Sequence, residues 1–258
     1  MRRPFLLGKE RSMADAFVCG LRRKLVRSVW KLDLSRRKRG LEAVWKLYDI
    51  SMDIHPAMRV WKDKDDKRPV FETVSTHAQG KSHETRLRLD AHTGTHVDAP
   101  LHMIAGGATI DAIPLEKWMG PARVLDLTGV RDSIGRAELE PHAPQRGEWI
   151  LLKTRNSFAE GGAFDYGFVF LNAEAAAYLK EAGVRGVGID ALGVERDQPG
   201  YPTHRTLLEA GILIAEGLCL KDVPVGSYWL IIAPLRLIGV EAAPARAFLI
   251  GAGDGNGR

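Results

Sequence analysis

The 258-residue chain reads as a mixed α/β domain behind a basic N-terminal extension, and three observations predict this. Short β-patterned runs recur from about residue 45, with few helical stretches between them and without the strict strand–helix alternation of a doubly wound sheet. Apolar residues make up 45% of the chain and charged residues 27%, the proportions of an ordinary globular protein long enough to bury a sizeable core. The net charge of +5 is also unevenly spread. Residues 1–40 hold thirteen Lys and Arg against three acids, whereas the rest holds 24 basic and 29 acidic residues.

The expected division is therefore an extension over 1–44 and one domain over 45–258. A nucleic-acid partner would need its positive charge on a folded surface, and here the excess belongs to the leader, so none is expected. Within the leader, Arg2-Arg3-Pro4 faintly resembles an export signal, but Lys9, Glu10 and Arg11 interrupt any apolar core behind it. Apolar residues at 17, 18, 21, 25, 29 and 32 keep a roughly helical period among arginines and a lysine. That stretch reads either as a basic amphipathic helix for a membrane surface, partner or targeting receptor, or as a solvated extension with 36–40 as linker. The two cysteines, Cys19 and Cys219, build no disulfide framework and favour a reducing cytoplasm. No apolar run approaches the ~20 residues that span a bilayer.

Along the domain, residues 47–50 read as a short strand, followed by a charged loop over 52–67. Residues 70–76 and 85–89 alternate apolar and polar side chains, as half-exposed strands do. Residues 124–127, 149–152, 187–189 and 228–232 read as buried strands. Helices are expected over 173–182, opened by Asn172 and closed by Gly183, and over 203–210, closed by Gly211.

The chemistry is concentrated in residues 92–102, His-Thr-Gly-Thr-His-Val-Asp-Ala-Pro-Leu-His, which hold three of the eight histidines and a carboxylate. Imidazole and carboxylate together suit borderline divalent metals. In an extended strand His92, His96 and Asp98 share a face, but two histidines four residues apart would lie about 13 Å from each other. One ion cannot bridge that span, so the backbone must bend, and Gly94 permits it. Thr95 can hold the turn, and Pro100 biases Ala99 to an extended exit. Downstream, His204 stands at the start of a helix, and Glu216 ends an otherwise apolar strand over 212–218, where burial needs a cation or donor.

On these residues the chain resembles the cyclase family that includes bacterial kynurenine formamidases and isatin hydrolases. The hallmark His-x-Gly-Thr-His-x-Asp-x-Pro-x-His runs without a gap from His92 to His102. Further likeness lies at 48–51, 59–61, 204–216, 234–236 and 243–247. The resemblance implies a single compact mixed-sheet α/β domain of the swivelling β/β/α type. It implies two divalent ions, zinc or manganese. His92, His96 and Asp98 would hold the first; Asp98 would bridge to a second held by His204 and Glu216. His102 matches the family's acid/base histidine, and Trp61 an aromatic that contacts substrate. A homodimer or homotetramer is implied as well.

The function expected is metal-dependent hydrolysis of a linear or cyclic amide, arylformamidase-like, with metal-activated water attacking the carbonyl and His102 moving the proton. The alternatives are an isatin-type cyclic-amide hydrolase, a lyase or dehydration reaction on the same site, or a non-enzymatic metal- or partner-binding module. His102 could also be a third ligand of the first cluster. The loop over 62–67 and the segment 198–203 depart from the family pattern, so the metal chemistry is legible and the substrate is not. Arg155 or Asn156 could meet a substrate carboxylate, or could belong to a surface loop. His55, His77, His83 and His142 are expected in solvent, and Cys219 as a small buried hydrophobe.

Overall fold

The computed structural model describes residues 45–159 and 162–252. The amphipathic stretch at 17–32 and Cys19 lie outside the described residues. Twelve strands and three α-helices are present among the described residues. They are β1 (Trp45–Asp49), β2 (Val70–Ser75), β3 (Glu84–Arg88), β4 (His96–Asp98), β5 (Met119–Asp126), β6 (Ser133–Ile134), α1 (Arg136–Leu139), β7 (Trp149–Lys153), β8 (Phe170–Leu171), α2 (Ala173–Ala182), β9 (Gly186–Ile189), α3 (Pro202–Glu209), β10 (Leu213–Glu216), β11 (Gly226–Pro234) and β12 (Ala242–Ala252).

The main sheet runs β1-β12-β11-β5-β7-β9-β10-β4, with an additional pairing of β4 to β12. That pairing closes seven strands into a barrel-like ring and leaves β1 as an extra strand along β12. β5, β7, β9 and β10 are mutually parallel, and the remaining pairs of this sheet are antiparallel. The parallel segment needs crossovers, and these carry α1, α2 and α3. The fold is thus the mixed-sheet α/β domain that the pattern predicts.

Each expected strand and helix of the domain is present, with boundaries shifted by at most five residues and the helix over 173–182 not at all. Asn172 caps α2 by accepting from the Ala175 amide at 3.0 Å, and Gly183 ends the helix in the left-handed region. Two cores result. One lies between the sheet and α2 and α3, built from residues such as Ile150, Ile189, Ile214, Leu179 and Leu207. The other fills the ring interior with Val97, Leu151, Ala215, Leu230, Ala243 and Leu249. The β2–β3 ribbon pairs only with itself, and its strands are exposed rather than half-exposed. Cys219 is likewise exposed, because its neighbours Leu218 and Leu220 take the buried positions.

Leu179 joins α2 to the helix-side core and is fully buried. Leu179→Ala should cost about 2–5 kcal/mol through lost transfer energy and the cavity left behind. Urea titration should show a lower midpoint with little change of slope.

Candidate metal centre

β4 is the join of the ring. His96 stands opposite Glu216 and Asp98 opposite Ile214 on β10; on the other side Asp98 and His96 face Ala242 and Pro244 of β12. Alternation along the strands puts His96, Asp98 and Glu216 on the face toward the helices, while Val97 and Ala215 enter the ring interior. The bend expected before β4 occurs at Gly94, with φ +64°. Gly94 lies against Gly217, φ +68°, so closely that a Cβ on Gly217 would meet the Gly94 carbonyl oxygen at 2.5 Å. Thr95 locks this contact. Its hydroxyl donates to the Gly217 carbonyl (2.5 Å) and accepts from the Met52 amide (2.8 Å).

All the predicted ligands converge. His92 Nδ1 lies 3.2 Å from Asp98 Oδ1, and His96 Nε2 lies 3.8 Å from that atom and 3.1 Å from Glu216 Oε2. His204, in the first turn of α3, places Nε2 3.7 Å from Asp98 Oδ2 and 3.4 Å from Glu216 Oε1. The potential ligand atoms of His92, His96 and Asp98 all lie within 4.8 Å of one another, and so do those of Asp98, His102 and His204. Asp98 is common to both groups. The His102 ring sits 4.4 Å from that of His92 and 5.7 Å from that of His204.

The donor set fits divalent cations. His96 Nε2 and both Asp98 oxygens are buried without a hydrogen bond, an expensive state for polar atoms unless an ion takes them up. The other ring nitrogen of His96, Nδ1, lies 2.9 Å from the Gly94 carbonyl, which fixes the ring with Nε2 toward the centre. His204 Nδ1 lies 3.4 Å from Glu195 Oε1, while Glu195 Oε2 accepts from the amides of Thr203 (2.6 Å) and His204 (3.2 Å). Glu195 thus orients His204 and caps the helix that carries it. Glu241 lies 3.6 Å from His92 Nε2. Sequence reading missed both carboxylates, because neither stands at a spacing that marks it; only the fold brings them in.

Charge states follow from burial and neighbours. Burial works to lower the His96 and His204 pKa values, but facing carboxylates overcome it. Glu216 and Asp98 bring His96 up to about 9, and Glu195 joins them in bringing His204 up to about 10. Burial works to raise Glu216, yet the two imidazoles hold it well below the ordinary carboxylate range. His102 is lowered, chiefly by burial, and is neutral at pH 7.

A cavity of about 240 Å³ opens beside these groups, lined also by Arg59, Trp61, Lys64, Lys67 and Tyr201. Trp61 lines it and packs edge-to-face in an aromatic cluster, 4.9 Å from Phe164 and 6.0 Å from Phe168 between ring centroids. The next two residues, Lys62 and Asp63, both hold positive φ (54° and 53°). Such non-glycine conformations cost on the order of 1 kcal/mol each and mark a loop held in place by its surroundings. Arg155 and Asn156 do not line this cavity and have partners of their own. Arg155 is tied to Asp165 and the Gly167 carbonyl, and Asn156 is buried against the Val169 backbone and Asp190. Of the remaining histidines, His55, His77 and His83 are exposed as expected, whereas His142 is half-buried.

The Cyclase family model, described as "Putative cyclase", matches residues 48–196. A kynurenine formamidase from Salinibacter ruber is 36% identical over 209 residues, 81% of this chain and 99% of that protein. A solved structure described as a predicted metal-dependent hydrolase from Bacillus stearothermophilus is 48% identical. It covers 81% of this chain and 99% of its own, with a TM-score of 0.74. Isatin hydrolase A from Labrenzia aggregata is 23% identical and covers 94% of this chain and 100% of its own; its TM-score of 0.72 is a likeness of fold.

In the metal-free protein the raised histidine values stabilise the fold fully below the unfolded pKa of about 6.5, and that contribution is lost as pH climbs through 9 to 10. The thermal midpoint of chelator-treated protein should therefore fall over this range. Zinc binding at pH 7.5 should release protons, seen by calorimetry as a heat that varies with buffer ionisation enthalpy. A buffer-independent heat would contradict the assignment.

Proposed function

The chain belongs to the cyclase family, and from that premise we propose that it is a metal-dependent hydrolase of a linear or cyclic amide, arylformamidase-like in its chemistry. The observation that carries this reading is the convergence of His92, His96, Asp98, His204 and Glu216 at the end of a pocket, with His96 Nε2 and both Asp98 oxygens buried without a hydrogen bond. The kynurenine formamidase and metal-dependent hydrolase relatives support the same reaction class.

His92, His96 and Asp98 would hold one divalent cation, and Asp98, His204 and Glu216 a second; the mixed imidazole and carboxylate set suits zinc or manganese. Such a cation, when bound, lowers the pKa of a coordinated water towards ~7 and polarises a carbonyl. The protein's own residues do the rest. His102, neutral and close to both ligand groups, accepts the proton that the attacking water gives up and returns it to the leaving nitrogen. Water adds its oxygen to the carbonyl carbon, the C–N bond breaks, and acid and amine leave. Trp61, on the pocket wall, would be the aromatic that contacts the substrate.

Assembly into a homodimer or homotetramer is supported by an uncovered sheet face. On the outer side of β1, β12, β11 and β5, cross-strand neighbours include Leu47, Ile250, Trp229 and Pro121. Leu47 is 62% and Trp229 42% exposed, and Trp45 beside them is exposed too. A contiguous apolar face of this kind is uncommon on a monomer. Among the described residues no helix is long and apolar enough to cross a membrane, and with the cysteine usage this supports a cytoplasmic setting.

His102→Ala should retain metal by elemental analysis and lose at least about 100-fold in hydrolysis of formanilide. Loss of metal from that variant would make His102 a ligand instead. Glu216→Ala should lower the number of ions per chain; an unchanged count would defeat the two-ion assignment. Light scattering should give a mass of at least two chains for the wild type, and Trp229→Glu should lower it.

A further inference from the structure

One carboxylate ties together two segments that line the cavity beside the metal-ligand cluster, without lining it itself. Asp197 Oδ2 meets Lys62 Nζ at 2.5 Å, and Asp197 Oδ1 accepts from the Tyr201 hydroxyl at 2.6 Å. Lys62 follows Trp61 in one lining segment, and Tyr201 precedes His204 in the other. Hydrogen bonds from Lys62 and Tyr201 hold the Asp197 carboxyl below its usual range, so the contact stays charged at neutral pH.

Backbone strain marks the same contact. Four non-glycine residues among the described residues hold positive φ, and three of them are Lys62 (54°), Asp63 (53°) and Tyr201 (50°). Left-handed conformations of bulky side chains persist only where their surroundings over-determine them, and here they stand at both ends of the Asp197 brace. The brace bears directly on Trp61. Lys62 Nζ lies 5.8 Å from the centre of that ring, and a Cβ on Gly193 would meet the ring at 2.7 Å. From Gly193 the chain runs on to the ligand cluster. The Val194 amide donates to Glu216 Oε1 at 2.5 Å, and Glu195 orients His204. A single segment, 193–197, therefore touches candidate ligands as well as Trp61 and the lysine beside it.

We propose that Asp197 is a positioning residue that acts through Trp61. By holding Lys62 and Tyr201 together it fixes the indole relative to the metal-ligand cluster, and with it the orientation of an amide lying between the two. The inference deepens the hydrolase reading and rests on it for the reaction. A loosened indole still offers its apolar surface, so losing Asp197 costs orientation more than affinity and falls on kcat more than on KM. Losing the indole itself removes binding area and raises KM.

The test uses the zinc-loaded full chain with formanilide and isatin as probes. The Lys62 and Asp197 side chains are 30% and 54% exposed, and pairs of that kind add little to stability, so their variants stay folded. Asp197→Ala should keep its zinc and lose about tenfold in kcat, with KM changed by less than about twofold. Lys62→Met should give the same loss, the double variant should add nothing to it, and Asp197→Glu should restore part of it. In a Trp61→Ala background Asp197→Ala should have no further effect. Amide hydrogen exchange over 61–67 should be faster in Asp197→Ala, with 92–98 unchanged. An unchanged kcat, additive losses, a loss that persists without Trp61, or missing zinc overturns the positioning role. Failure of the wild type to turn over either probe counts against the hydrolase reading instead. Exchange then decides the brace alone, and an unchanged rate over 61–67 overturns it.

Discussion

Two buried carboxylates, Asp98 and Glu216, face the same small space, and the rest of the site follows from that. Burial opposes the charge of each, and Glu216 further opposes that of Asp98. Imidazoles answer the repulsion in the metal-free protein, and divalent cations can answer it more fully. A fold that forces two acids together at the join between β4 and β10 is stable only with positive charge supplied between them. This is why His92, His96 and His204 are gathered there from separate segments.

Holding that arrangement takes structure beyond the ligands. The Thr95 hydroxyl ties the bend at Gly94 to Gly217, so that the strand carrying His96 and the strand carrying Glu216 share one fastening. Glu195 gives α3 its N-terminal acceptor and His204 its orientation with one carboxylate. On the far wall the loop from Trp61 to Arg68 is fixed by ion pairs and a buried aromatic cluster, so the pocket is pre-shaped on both sides. Pre-organisation of this kind lets binding energy go into the substrate rather than into ordering the protein.

Much of the site was legible because its information is local. The run from His92 to His102 carries two candidate ligand histidines, Asp98 common to both groups, the bend and His102 within a single loop and strand. The isolated acid Glu216 declared itself by its cost in an apolar strand. Glu195 and Glu241 did not, since a supporting carboxylate needs only to arrive within reach of a ring nitrogen, and many spacings achieve that. The same limit hid the ring closure. Residues 242–244 look like any β-patterned run, and nothing local says that they pair with β4 as well as extend a strand shared with β11. The placement of Arg155 and Asn156 was hidden for a related reason: backbone carbonyls and Asp165 and Asp190 claim them, and such partners leave no mark in the local sequence.

The double pairing of β4 has a consequence for how the molecule is assembled. Its three residues bond to segments more than a hundred positions away on both sides, 214–216 and 242–244. Contacts of such long range carry a higher loop-closure cost than local pairings and slow folding. The ring is closed by the strand that carries His96 and Asp98, and its pairing with β10 is what brings the two acids face to face. Closing the ring therefore assembles the candidate ligand set: the seam of the fold is also the place where a divalent ion would be held.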